Sequence, residues 1–409
     1  MKTILLTVLL FTLGAGNSCS NREAQSSALH YSDADTASMA TDTSRNQQNA
    51  AAKTGNNNSN SVQVAILLDT SNSMDGLIDQ AKSQLWKMVG ELALARDKSG
   101  NIPDIEIALY EYGNDGLPAE GGYIRMVSEL TTDLDLISEK LFGLKTYGGS
   151  EFCGQVISKS ADDLNWTTNN DVLKVIFIAG NEEYTQGPVH YKDACKKAAS
   201  KGIIINTIFC GPMEEGINTQ WKDGADCADG RYMNIDQNQT VAHIDAPQDA
   251  EINRLNQQLN DTYIGYGSSG KMRKEMQMEQ DRNASQYGSA NAAQRAATKA
   301  SYNYKNSSWD LVDAVDEKSV ELEKMDKEDL PEEMQHLKPE DRKLYLEKKA
   351  ADRREIQSQI SRLNAERLAY IAEEQRKMAE ASPTNTLDAA IINTIRTQAE
   401  SKGYLFEKK

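Results

Sequence analysis

The chain of 409 residues carries 61 Asp and Glu against 45 Lys and Arg, a net charge of −16, with 39% hydrophobic and 6% aromatic residues. This acidic balance excludes a nucleic-acid binder, because phosphate contacts need clustered Lys and Arg, and it suits a protein that collects divalent cations. The length exceeds one usual domain and the hydrophobic share suffices for one good core, so two folded units with linkers are expected.

The N-terminal "MKTILLTVLLFTLGAGNSCS" joins a basic Lys2 to an apolar run from Ile4 to Leu13, then small residues before Cys19. The run is short for a bilayer span, so residues 1–18 read as a signal peptide. Small residues directly before a cysteine resemble a bacterial lipoprotein signal. That resemblance implies lipidation of Cys19 and anchorage in the cell envelope, facing the periplasm or the cell surface. The other reading is ordinary secretion with cleavage near Ser18 or Ser20. Residues 19–60 are mostly Ser, Asn, Ala, Thr and Gln. Such a segment cannot bury enough surface to offset chain entropy and reads as a flexible tether.

From Ser61 the pattern becomes strand–helix alternation. "VQVAILL" is a buried strand, and "MDGLIDQAKSQLWKMVGELAL" follows with Leu77, Ala81, Leu85, Met88, Val89 and Leu92 at helical spacing. "IEIALYEYG", "VLKVIFIAG" and "GIIINTIFCG" are further strands; "TTDLDLISEKLFGL", "GQVISKSADDL" and "HYKDACKKAAS" are helices. Continuous Val/Ile/Leu strands between amphipathic helices predict an α/β, Rossmann-like domain over residues 61–245, with a mostly parallel sheet covered on both faces. "CGPMEEGINTQWKDGADCADGRYMNIDQ" reads as a long loop at the sheet edge.

Residues 246–315 read as a polar helical extension with a loose Gly/Ser/Ala-rich middle, ending in a short capped helix at "SSWDLVDAV". Residues 316–409 form a charged helical region whose long helix has an apolar stripe (Ile356, Ile360, Leu363, Leu368, Ile371) too irregular for a long coiled coil. A helical hairpin with "TLDAAIINTIRTQAESKGYLF", or a helix packed on the first domain, is expected.

The strand in "VAILLDTSNSMDG" ends in Asp69, Ser71 and Ser73, at the carboxyl edge where open parallel sheets gather ligands. Alternate spacing points all three side chains to one side. Oxygen-only ligands of this kind suit Mg²⁺, or Mn²⁺ and Ca²⁺ less selectively. The bland alternative is that Ser73 or Asp75 caps the following helix. "AILLDTSNSM" resembles the metal-ion-dependent adhesion site of von Willebrand factor type A domains, and the resemblance covers about Val62 to Asp245. It implies that Ser150 of "TYGGSEF" supplies a further hydroxyl. It also implies an acid after a later strand, but Ala179-Gly180-Asn181 stands where Thr-Asp-Gly is expected. Asn181, Glu182, Glu183 or Glu151 are the substitutes; an orienting acid of this kind is worth tenfold to a hundredfold in metal affinity.

After Cys19, the cysteines Cys153, Cys195, Cys210 and Cys227 permit two disulfides in any of three connectivities. They have no CxxC spacing, and His30, His190, His243 and His336 are scattered, which argues against zinc. No G-x-S-x-G or P-loop is present, and Cys153 with His190 makes a nucleophile–base pair only if the two are adjacent, so no enzyme is expected. The expected function is an exported, lipid-anchored binding module whose metal recruits a protein partner through an acidic side chain. The alternative is a structural scaffold with a degenerate site that binds partners without metal.

Overall fold

A computed structural model of the chain describes residues 60–235, 244–381 and 387–406. The signal-peptide segment, Cys19 and the tether up to residue 59 lie outside the described residues.

Strand β1 (Ser61–Asp69) is buried along its whole length because it is flanked on both sides. It pairs in parallel with β3 (Asp104–Tyr112) on one side and β5 (Leu173–Gly180) on the other. Strands β6 (Ile204–Cys210) and β7 (Tyr232–Ile235) extend the sheet in parallel beyond β5. The far edge is β4 (Ile124–Thr131), antiparallel to β3 with register shifts. The order β4-β3-β1-β5-β6-β7 makes β1 the strand from which neighbouring connections diverge, and such a switch point opens a crevice at the strand's carboxyl end.

Side chains alternate across each strand. Val62, Val64, Ile66 and Leu68 join a core with α1 (Asp75–Leu92) and α2 (Leu134–Phe142) on one face. Ala65, Leu67, Tyr110, Tyr112, Ile176 and Ile178 face α3 (Cys153–Asp163), α4 (Tyr191–Ser200) and the Trp221 region on the other. Both faces are thus covered, as the mostly parallel α/β pattern requires.

The expected long loop after Cys210 is structured. It contains α5 (Met213–Asn218), α6 (Trp221–Asp226) and then β7. Edge strand β4 also went unread; its mixed burial leaves little apolar alternation to find. A two-stranded antiparallel ladder joins β2 (Ala95–Arg96) to β8 (Leu405–Phe406), tying the end of the described chain back to the end of α1.

Beyond residue 245 the chain runs through α7 (Asp249–Asn260), α8 (Gly270–Gln286), α9 (Ser289–Lys299), α10 (Leu311–Asp316), α11 (Glu332–Gln335), α12 (Pro339–Ala381) and α13 (Leu387–Ser401). Asp310 caps α10, accepting from the Asp313 N–H. Ile252, Leu255 and Leu259 of α7, Ala293 and Ala296 of α9, Ile360 of α12 and Ile391 and Ile395 of α13 belong to the same core as α1. Helix α12 lies on α7 and α9, whereas α13 lies on α1 and β7. The two therefore take separate partners: the long helix lies on the 246–315 extension and α13 on the first domain, so neither expected arrangement describes the long helix.

Candidate metal centre

Asp69 ends β1 with no exposed surface. Its Oδ1 accepts the Ser71 N–H at 2.7 Å, which bends the chain so that the hydroxyls of Ser71 and Ser73 come to 3.3 Å of each other. The Asn181 side-chain N–H₂ donates to Ser73 Oγ at 3.1 Å, so the end of β5 closes on the first loop. Ser73 is thereby occupied by Ser71 and Asn181, and the cap position of α1 falls on Met74. The hydroxyl serves the crevice and not the helix start.

A second loop is stitched to the first through its backbone. Tyr147 N–H donates to Thr70 O and Asn72 N–H to Gly148 O, each at 2.9 Å. Those bonds place Glu151, only 2% exposed, with its carboxyl within hydrogen-bonding reach of Asp69 and of the Ser71 hydroxyl. The Glu182 backbone N–H also points to it. Two buried acids share one small volume. Burial pushes both carboxyls above the usual carboxylate range, and for Asp69 the adjoining Glu151 charge adds to the shift. Asp69 Oδ2 is buried and meets no donor, and the same holds for Asn181 Oδ1.

The third position is closed to a side chain. A Cβ on Gly180 would stand 2.6 Å from the Tyr112 hydroxyl, 3.1 Å from the Trp221 ring and 3.2 Å from Asp69 Oδ2. The Tyr112 hydroxyl donates to Ala179 O at 2.9 Å, and the Trp221 indole N–H donates to Glu182 O at 2.7 Å. Both rings are fully buried and occupy the room that an acid at position 180 would need. The sequence pattern does not point to Tyr112, and it places Trp221 only in the long loop at the same sheet edge, because nothing local ties Trp221 to Gly180.

The remaining candidate positions are peripheral. Ser150 is half-buried beside Glu151, and no hydrogen bond ties its hydroxyl to the cluster among the described residues. Glu182 is exposed and its carboxylate accepts from Gln186 at 3.4 Å. Glu183 is exposed and engages Thr185.

The two-disulfide expectation is corrected. Cys195 and Cys227 form a disulfide, whereas Cys153 and Cys210 are buried free thiols. Cys153 packs in the core on the α3 side and Cys210 in the core on the α1 side, so the sheet lies between them. Cys153 approaches the Tyr112 hydroxyl at 3.7 Å, and burial pushes its thiol well up, opposite to what a nucleophile needs. His190 instead accepts the Lys192 N–H at the start of α4 and stacks on Tyr191.

Among the described residues no group of three or more His, Cys, Asp or Glu side chains is arranged to hold a metal. The cluster is of another kind, with two carboxyls, two hydroxyls and an amide oxygen, all hard donors. Such a set fits Mg²⁺ or Ca²⁺ and offers nothing to a thiolate-seeking ion. The orphaned Asp69 Oδ2 and Asn181 Oδ1 are the acceptors that a cation, or its bound water, would satisfy.

Residues 63–245 match the family described as von Willebrand factor type A domain. No curated protein matches the chain. Among solved structures, BatB from Bacteroides thetaiotaomicron is 17% identical, covering 43% of this chain and 90% of that one at a TM-score of 0.33. An aerotolerance-related membrane protein from Bacteroides fragilis is 18% identical, covering 43% and 92% at 0.30. Proximal thread matrix protein 1 from the mussel byssus, with a zinc-occupied MIDAS motif, is 13% identical, covering 43% and 42% at 0.31. The matched segment, read with the sheet order and the helices on both faces, makes residues 63–245 a von Willebrand factor type A domain.

Proposed function

We propose that the protein is a binding module of the bacterial cell envelope, anchored through a lipid on Cys19. Its type A domain holds a divalent cation, Mg²⁺ or else Mn²⁺ or Ca²⁺, at the crevice formed by Asp69, Ser71, Ser73 and Asn181, with Ser150 and Glu182 at its rim. A protein partner completes the ion's open position with an acidic side chain. The cation would supply the positive charge that attracts such a group; the chain's own residues orient and desolvate it. The observation that carries this reading is Asp69 Oδ2, buried without a donor at the strand end that leads into a pair of hydroxyls 3.3 Å apart. Type A domains are interaction modules, which agrees with a binding role and gives no reason to assign a reaction.

A metal-independent scaffold is the second reading, and Gly180 in place of the family's acid favours it. Titrating Mg²⁺, Mn²⁺ and Ca²⁺ into the protein and into Asp69→Ala, by calorimetry and thermal melting, separates the two. A cation that binds only the folded state stabilises it by about 2.7 kcal/mol at a hundredfold excess over Kd. The metal reading expects heat and a raised Tm in the parent and neither in the variant. Absence of both in the parent would leave the scaffold reading standing.

A further inference from the structure

We infer that Glu151 is the carboxylate that completes this cation site, having taken over from the second loop the part the family assigns to an acid at the end of β5. The inference rests on the metal reading above and goes further by naming which residue carries the second negative charge. Three observations converge on it. First, the usual place is physically filled: any side chain at Gly180 meets the Tyr112 hydroxyl at 2.6 Å and the Trp221 ring at 3.1 Å. An acid cannot return there unless the buried Tyr112 and Trp221 rings give way, so the site must obtain its charge elsewhere or do without.

Second, Glu151 is buried to 2% exposure with no Lys, Arg or His paired to it among the described residues. Burying a carboxylate without a cation is costly. The glutamate nevertheless points at Asp69 and Ser71 and not at solvent. A Cβ on Gly113 would lie 2.6 Å from Asp69 Oδ1 and 2.8 Å from Glu151 Cγ. That glycine (φ +79°) is what lets both acids crowd against the end of β3.

Third, Asp69 is fully buried and its Oδ2 has no donor. An unpartnered carboxylate oxygen next to a second carboxyl leaves a place for a cation between acceptors. The exposed alternatives do not meet this description. Glu182 offers Glu151 its backbone N–H while its own carboxylate turns to Gln186. The residue thus positions Glu151 through its backbone, and its charge stays in solvent.

Calorimetric titration of Mg²⁺ and Mn²⁺ into the full protein and its Glu151→Gln and Glu151→Asp variants tests the inference, with circular dichroism confirming the fold. Glu151→Gln keeps the shape and removes the charge, and it is expected to weaken both ions at least tenfold. Glu151→Asp keeps the charge but withdraws it by one methylene, and it is expected to fall between parent and Gln variant. Parent-like affinity in Glu151→Gln overturns the assignment of Glu151 while leaving the metal site in place. If Glu151→Gln does not fold, parent-like affinity in Glu151→Asp overturns it instead. A parent that binds neither ion overturns the site itself, a separate outcome.

Discussion

Asp135 in α2 and Arg295 in α9 stand 160 positions apart in sequence and meet at 2.9 Å in the interior. Arg295 has no exposed surface; it also binds Asp281 at 2.6 Å and lies 4.6 Å from the centre of the Trp86 ring. A helix of the type A domain is thereby bonded to the region that follows it. Removing one partner of a buried ion pair costs about 3–5 kcal/mol, because the others stay buried and uncompensated. Arg295→Ala is therefore expected to lower the unfolding free energy by that amount, read as a lower denaturant midpoint at unchanged slope, with the sheet and the C-terminal helices melting in one transition. Two separate transitions, by fluorescence and circular dichroism, would contradict a shared core.

A chain ended at Asp245 loses the cover that α7, α9 and α13 give to α1. Ile252, Leu255, Leu259, Ile391 and Ile395 each bury a side chain in that core, worth about 1.5–3 kcal/mol apiece. The truncated protein is expected to bind a hydrophobic dye and to lose cooperative melting. A sharp native-like melt would show that the type A domain stands alone.

Acid sensitivity should arise from Asp281. Burial pushes its carboxyl up, but Lys299 and Arg295 outweigh that and hold it well below the usual carboxylate range. A carboxylate depressed in the folded state contributes stability that is complete above about pH 5 and is lost as pH falls through about 4 and below. Melting temperature is expected to drop between pH 6 and pH 3. Asp281→Asn should melt lower at pH 7 and show a flatter acid limb; an unchanged slope would exclude this carboxylate as the source.

Restoring the family's acid by Gly180→Asp should destabilise the protein. The new Cβ would meet the Tyr112 hydroxyl at 2.6 Å, and overpacking of a filled core costs about 1–3 kcal/mol. Tyr112→Phe alone gives up the bond to Ala179 O, about 1 kcal/mol. In the double variant the two losses should add to less than their sum, because removing the hydroxyl makes room. Strict additivity in denaturant titrations would mean that the clash is relieved elsewhere.

Peptide mapping of alkylated thiols checks the cysteine assignment. In denaturant without reductant, Cys153 and Cys210 should be labelled while Cys195 and Cys227 are protected; reduction should expose the latter pair. The bond closes a separation of 32 residues, for which chain-entropy estimates give about 3–4 kcal/mol. Cys195→Ser with Cys227→Ser should lose stability on that scale.

Sequence by itself determined the α/β pattern, the strand ending in Asp69, the two serines beyond it and most helix positions. These are signals carried within a few turns or strand residues, where burial imposes a period that the residues must follow. Helix α9 shows where that logic stops. Its "SANAAQRAATK" looked loose and polar, yet Asn291, Gln294, Arg295, Thr298 and Lys299 are all buried, each matched to a partner outside the helix or to its backbone. Polar residues carry no hydrophobic period when distant groups satisfy them. The same holds for the site. Glu151 was one of four candidate substitutes until the loop stitched to Thr70 and Asn72 brought it against Asp69. Gly180 looked like a loss until Tyr112 and Trp221 were found filling its place. Tertiary structure decided these points because each depends on which distant side chain occupies a volume, and volume is shared only after the chain has folded.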